Sequence, residues 1–408
     1  CDRWLALYRA AASQSERQRA VIEDISRDPR ERETARRLRA EAEAQLEVLA
    51  DESNDTQSDF YSYRYFASEG FLPGYNFPRL PLSAYLPGRR RQRGRDDFLS
   101  RPRFLAISEF GPRSFIYHEG SRYVVNKVIL PIDGDSTSLK RRVKLCSACG
   151  YLHDLGDDPG PDLCESCGQE LTEEWPNMFP MHNVSTRRRD RISSDEEERF
   201  RLGYELRTAL RFAVRHGAQS VRTAFIAGGG EDARVFLKYG AAATLWRMNL
   251  GWRRRKQREV RGYLLDIERG YWAKNQEIED EVMSADPMSQ RIDRVIPYVK
   301  DTRNALVVQP GTGLSRTEMA SLEAALKIGI QILYQLEDRE IGSEPLPEPG
   351  DRRRLLYYEA SEGGAGVLRQ LVEDAAALPA VARKALELLH FDPDTGADLG
   401  HALGEEER

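Results

Sequence analysis

The chain has 408 residues, of which 40% are apolar and 31% charged, and it carries a net charge of −5. No uncharged apolar run approaches the ~18 residues that a membrane-spanning helix needs, and the first residues lack the basic-then-apolar order of a secretory leader, so a cytoplasmic protein with no membrane partner is expected. The length accommodates two to four domains. The negative balance excludes wholesale coating of nucleic acid, although basic residues cluster locally. Opening on Cys1 and closing on GEEER, the chain reads as a piece of a larger protein.

Residues 1–58 form a charged arm. Trp4, Leu5, Tyr8, Val21, Ile22 and Ile25, then Leu38, Leu46 and Leu49, mark a narrow apolar stripe at helical spacing. Opposite charges three and four residues apart in RERETARRLRAEAEAQLEVLADE support an exposed helix. A break near RDPRE predicts a helical hairpin whose second helix starts at Pro29, a residue tolerated in a first turn.

Residues 59–143 change character. Nine aromatics fall among the 26 residues 60–85, and prolines at 73, 78 and 81 forbid a continuous helix there. Next comes GRRRQRGRDDFLSRPR, holding Arg89, Arg90, Arg91, Arg93, Arg95, Arg101 and Arg103. Arginines beside aromatic rings are what a single-stranded nucleic-acid groove uses, the guanidinium groups meeting phosphates and the rings stacking on bases. Solvated arginine loops and core-bound aromatics are the competing reading, and the sequence leaves both open. RFLAISEF, SFIYHEG and RYVVNKVILP read as strands of a small β unit.

Residues 144–172 hold four of the five cysteines. Cys146, Cys149 and Gly150 are echoed by Cys164, Cys167 and Gly168 across a 14-residue loop rich in Gly, Asp and Pro. Two residues between thiols let one tight turn aim both sulfurs at a single ion, and the glycine lets backbone N–H groups turn back toward them. Four thiolates in a tetrahedron fit Zn(II) with no position left for water, which predicts a structural ion. Two disulfides or four free thiols are the alternatives. His153 lies near the first knuckle, but the four cysteines complete the shell without it.

Residues 173–408 read as a mostly antiparallel sheet followed by helices. Strand-like runs are YELRTALRF, SVRTAFIA, AATLWRMNLGW, GYLLDIERGYW and NALVVQP. Arg253, Arg254 and Arg255 follow the third of these and are further candidates for phosphate contact. Ser315 and Glu318 predict a capping box, and Met319, Leu322, Leu326, Ile330 and Leu333 one helical face. RRLLYYEA is a buried strand, and GGAGVLRQLVEDA and LPAVARKALELLHF are two further helices. The fold class is α+β. No phosphate-binding loop is present, since QPGTGLS lacks the lysine, and no His cluster has catalytic or metal-binding spacing. EGGAG either presents backbone N–H groups to an anion or lets a helix approach the preceding strand.

Four stretches together, EGFLPGYNFPRLPL (69–82), LSRPRFLAISEFGP (99–112), GAAATLWRMNLGWRRR (240–255) and LLYYEASEGGAGVLRQLV (355–372), carry a family resemblance. Over residues 60–392 the chain resembles the carboxy-terminal region of bacterial superfamily-2 (DEAD/DEAH-box-type) DNA helicases with a helicase-associated MrfA-type zinc-binding domain, as in Druantia- and DISARM-like anti-phage systems. The resemblance implies ATP-driven movement on DNA, single-stranded or duplex, with ATPase domains in cis or in trans and other defence-system subunits as partners. It makes residues 173–408 a helicase-associated domain. The family's usual cysteine cluster after the last helix has no counterpart here, so its zinc ligands are not carried over, and the clamp at 146–167 is an additional ribbon. A stand-alone zinc-binding adaptor that docks onto a separate helicase or nuclease is the second reading.

Overall fold

The computed structural model describes residues 2–50, 81–87, 97–130, 140–156, 158–189, 203–227, 234–273, 288–311, 313–361 and 364–400. Helices α1 (Asp2–Glu23) and α2 (Pro29–Ala50) form the expected hairpin, with Pro29 in the first turn of α2. Among the described side chains, Ala11, Ala35, Ala42 and Glu41 are buried. Most of the aromatic stretch 60–85 lies outside the described residues.

Strands β1 (Leu82–Leu86) and β2 (Asp97–Arg101) pair as a hairpin and are followed by helix α3 (Arg103–Glu109). The sequence reading expected a strand over RFLAISEF; the structure has a helix. Pro102 starts it, its carbonyl accepting from the N–H groups of Leu105 and Ala106 at 2.9 Å each. Phe104, Ala106 and Ile107 are buried while Leu105 is exposed. Guanidinium groups clasp the helix: Arg247 and Arg303 lie 5.0 and 4.7 Å from the Phe104 ring centre.

Strands β3 (Phe115–His118) and β4 (Ser121–Val128) form the next hairpin. Then come β5 (Arg141–Leu145), β6 (Leu152–Asp154), β7 (Glu174–Pro180) and β8 (Val184–Arg189). A five-stranded sheet has the order β2-β1-β8-β4-β3, antiparallel except where β1 meets β8. The arm packs against it through Lys127 and Glu41, a pair 3.4 Å apart and nearly buried.

The larger, ten-stranded sheet is built on two 19-residue strands. After β9 (Tyr204–Arg211), the two-residue β10 and β11 (Val214–Arg215, Ala218–Gln219) and β12 (Arg222–Ala227) come β13 (Arg234–Trp252), β14 (Tyr263–Asp266) and β15 (Ile292–Pro310). β13 and β15 run antiparallel from Val235↔Pro310 to Met248↔Tyr298. A bulge between Gly240 and Ala243 breaks their register. Side chains alternate faces with period two, so an inserted residue exchanges the faces beyond it: Leu237 and Tyr239 face one core, Ala243 and Leu245 another. A Cβ on Gly240 would overlap the Phe212 ring.

Helix α4 (Arg316–Leu333) has the expected capping box, Ser315 accepting from the Glu318 N–H and Glu318 from the Ser315 N–H. Strands β16 (Ile341–Glu348) and β17 (Asp351–Glu359) extend the sheet from β15, and helices α5 (Val367–Glu373) and α6 (Ala377–Leu388) follow. The three helices cover one face, where Met319, Leu326, Leu368 and Val381 pack on Leu237, Leu306 and Tyr357. The opposite face belongs to a core that also contains α3 and three of the knuckle cysteines. The fold is α+β, as the sequence indicates.

Asn249 joins these parts. Fully buried, its Nδ2 donates to the Ile107 carbonyl at 3.2 Å and its Oδ1 accepts from the Tyr263 hydroxyl at 2.6 Å. Asn249→Ala leaves both partners buried and unmatched, which should cost about 3 kcal/mol in urea denaturation; a loss below about 0.5 kcal/mol would remove Asn249 from this role.

Candidate metal centre

The first knuckle runs from the end of β5 into β6. The Gly150 N–H donates to the Cys146 carbonyl at 2.9 Å, and the Cys146 N–H to the Tyr151 carbonyl at 3.0 Å. The second knuckle repeats this closely: Gly168 N–H to the Cys164 carbonyl and Cys164 N–H to the Gln169 carbonyl, each 2.8 Å. Gly150 and Gly168 have φ of 71° and 75°, the left-handed turn that the C-x-x-C-G spacing calls for. The Ser166 N–H also points at Cys164 Sγ, 3.4 Å away.

The knuckles face each other. Cys146 Sγ lies 3.6 Å from Cys167 Sγ and Cys149 Sγ 3.6 Å from Cys164 Sγ, and all four sulfurs lie within 4.8 Å of one another. A disulfide needs about 2.05 Å, so neither close pair is bonded. Four sulfurs around zinc at ~2.3 Å would sit ~3.8 Å apart, close to the separations seen. Cys146, Cys149 and Cys164 are buried and Cys167 partly so.

Electrostatics makes the same point. Burial pushes the Cys146 thiol up. The hydrogen bond with Cys164, and then burial, raise Cys149 far above the usual thiol range, while the same bond pulls Cys164 down to about 3. Burial and the Cys149–Cys164 hydrogen bond thus oppose ionisation of Cys146 and Cys149 when no cation is near. A divalent cation is what allows all four to ionise, and the donor set fits zinc. The four-cysteine shell is closed, so the ion would be structural.

His153, on β6, is 1% exposed; Nδ1 is 3.9 Å from Glu165 Oε2, and the ring lies beside Cys164, where it helps to favour the thiolate. It does not join the four-sulfur group.

The clamp is set into the main core. Leu210 N–H donates to the Gly150 carbonyl at 3.3 Å, and a Cβ on Gly150 would come within 2.8 Å of Leu346 Cδ2. Strands β5, β6 and β7 that frame the knuckles belong to the ten-stranded sheet.

The arginines named from sequence have different fates. Arg89, Arg90, Arg91, Arg93 and Arg95 lie outside the described residues. Arg101 pairs with Glu109 at 2.8 Å, and Arg103 opens α3. Arg255 is held in its own turn, pairing with Glu205 at 2.8 Å and donating to the Val260 and Trp252 carbonyls. Arg253 and Arg254 are exposed. Arg253 lines a cavity of about 370 Å³ together with Glu109, the partner of Arg101. Two stretches separated by some 150 positions of sequence thus meet at one end of α3.

Glu359, beside the glycine-rich turn, is buried; it accepts from Asn304 Nδ2 at 2.8 Å and from the Leu368 N–H at 3.1 Å. A Cβ on Gly364 would overlap Glu359 Oε2. The turn brings α5 against its strand, which is the second of the two sequence readings.

Residues 322–392 match the family described as the MrfA Zn-binding domain. That is the family the sequence resembles. The matched MrfA-type segment covers most of α4 and all of β16, β17, α5 and α6, and it contains no cysteine; the clamp at 146–167 is separate from it in sequence. Among solved structures, the DUF1998 helicase MrfA bound to DNA is similar at 8% identity and a TM-score of 0.35, over 80% of this chain and 32% of that one. A second MrfA structure gives 11%, 0.31, 79% and 33%. The chain therefore spans about a third of the length of those MrfA chains. No curated protein matches.

Purified protein should carry about one zinc per chain. Cys164→Ser should abolish it and lower the thermal midpoint by on the order of 10 °C. A variant without metal whose midpoint is unchanged would show that the ion is not structural.

Proposed function

We propose that this chain is the carboxy-terminal, nucleic-acid-engaging and scaffolding region of an ATP-dependent DNA helicase or translocase acting in anti-phage defence. The observation that carries the reading is the MrfA-type segment at 322–392, named for a protein whose solved structures are of a DUF1998 helicase, one of them bound to DNA. In this reading the chain supplies grip and bracing, and nucleotide hydrolysis belongs to ATPase domains joined to it or docked on it.

Two physical features support a grip on DNA. The arginine run 89–95 precedes β2 in sequence, and the Glu109 end of α3 borders the cavity lined by Arg253. Arg253 and Arg254 have no ion-pair partner among the described residues, so phosphates can reach them without breaking a pair. The zinc clamp serves as a brace: it fixes β5 and β6 onto the same sheet that carries the MrfA-type segment.

Reversing Arg89, Arg90 and Arg91 to Glu should weaken binding of a single-stranded oligonucleotide by at least about tenfold and reduce its salt slope by roughly 2. A salt titration by fluorescence anisotropy measures both. Affinity and slope unchanged from the parent protein would withdraw the arginine run from the interface.

A further inference from the structure

The sheet face opposite the helices holds an arrangement that the function above does not use. Phe225 on β12 stands directly across from Phe236 on β13, and Phe236 across from Gln309 on β15. The β15–β17 register, Val307↔Leu356, carries the row on to Arg354. One row across four strands therefore reads Phe, Phe, Gln, Arg. The row behind it begins Thr223, Lys238, Val307.

The two rings are out in solvent: Phe225 is 67% exposed and Phe236 45%. Exposed large aromatics side by side on a strand pair are costly unless something covers them. They border a pocket of about 410 Å³ whose far wall is the second knuckle and the end of the first, with Cys149 and Ser166 among its lining residues. Lys238 and Arg354 line this pocket, and among the described residues no carboxylate does. Lys238 is positioned by Gln219 Oε1 at 2.7 Å and lies 5.1 Å from the Phe212 ring centre. Arg354 has neither an ion pair nor a hydrogen bond among the described residues, unlike its neighbours Arg352 and Arg353, which pair with Glu323 and Asp351.

Two exposed rings and two cations, with no acid among the described lining residues, make a site for an aromatic anion. In a chain that engages DNA, the occupant of that chemistry is the strand itself, since every nucleotide presents a base to stack and a phosphate to pair. We infer that the pocket between the zinc knuckles and the β12–β13 edge holds single-stranded DNA, with bases on Phe225 and Phe236 and phosphate on Lys238 and Arg354. The inference rests on the nucleic-acid reading above and gives it a second contact surface, one that the zinc clamp walls. It also gives the metal a link to function, because the knuckles shape the pocket while taking no part in chemistry.

The test uses the whole chain and a labelled oligo-dT at several salt concentrations. The double variant F225A/F236A should weaken binding at least about fivefold with the salt slope unchanged, because stacking releases no counterions. Arg354→Gln should lower the slope by about 0.7. The rings are exposed, so the thermal midpoint of F225A/F236A should match the parent's, which separates lost contact from lost folding. If the parent binds and the Arg89–Arg91 reversal weakens it while F225A/F236A and Arg354→Gln change nothing, this site is refuted and the proposed function stands. If the parent chain shows no salt-dependent binding, both fall.

Discussion

Four thiols cannot be buried against one another and all ionise without a cation. That constraint organises much of this chain. Cys146, Cys149 and Cys164 belong to the same core as Phe104, Leu245, Leu346 and Tyr358, so the clamp joins the centre of the molecule and is no pendant finger. With an ion in place, two short loops become a rigid wall against β9 and β16. Without one, the protons that the buried sulfurs must keep leave the wall held by two hydrogen-bonded turns and a few apolar contacts.

The second organising device is the pair of 19-residue strands. Each serves different neighbours along its length: β13 pairs β12 near its start and β9 toward its end, and β15 pairs β14 and β7 first and β17 later. The bulge at Gly240–Ala243 lets β13 feed the helix-covered core with one half and the knuckle-side core with the other. The MrfA-type segment supplies that helical cover and the β16–β17 hairpin, and so shares its central strands with the clamp. Among the described residues, positive charge on this framework is left without an ion pair at Arg253 and Arg254 in one place and at Arg354 in another.

Local chemistry was legible in the sequence. The knuckles, the capping box of α4, Pro29 at the start of α2 and most strand runs follow from spacing and turn residues that act within a few positions. RFLAISEF was misread because eight mostly apolar residues are too few for a period of two to be told from one of 3.6; the arginines that pack on it, Arg247 and Arg303, arrive some 140 to 200 positions later in sequence. The row from Phe225 to Arg354 was invisible for the same reason, four strands each contributing one residue. A local hint existed: in RTAFIA and RVFLKY, Phe225 and Phe236 fall on the polar side of the alternation, with Thr223 and Lys238, where a core aromatic would not be placed. The sites of the arginine clusters needed the fold as well, since Arg255 proved to be tied into its own turn while Arg253 faces a cavity.

The central claim is that a single ion bound by Cys146, Cys149, Cys164 and Cys167 completes the core. X-ray absorption at the zinc edge of the purified chain measures this directly. The account predicts one shell of four sulfurs at about 2.3 Å with no nitrogen or oxygen scatterer. A mixed shell with a histidine nitrogen or a water oxygen, or folded protein giving no zinc signal, would contradict it.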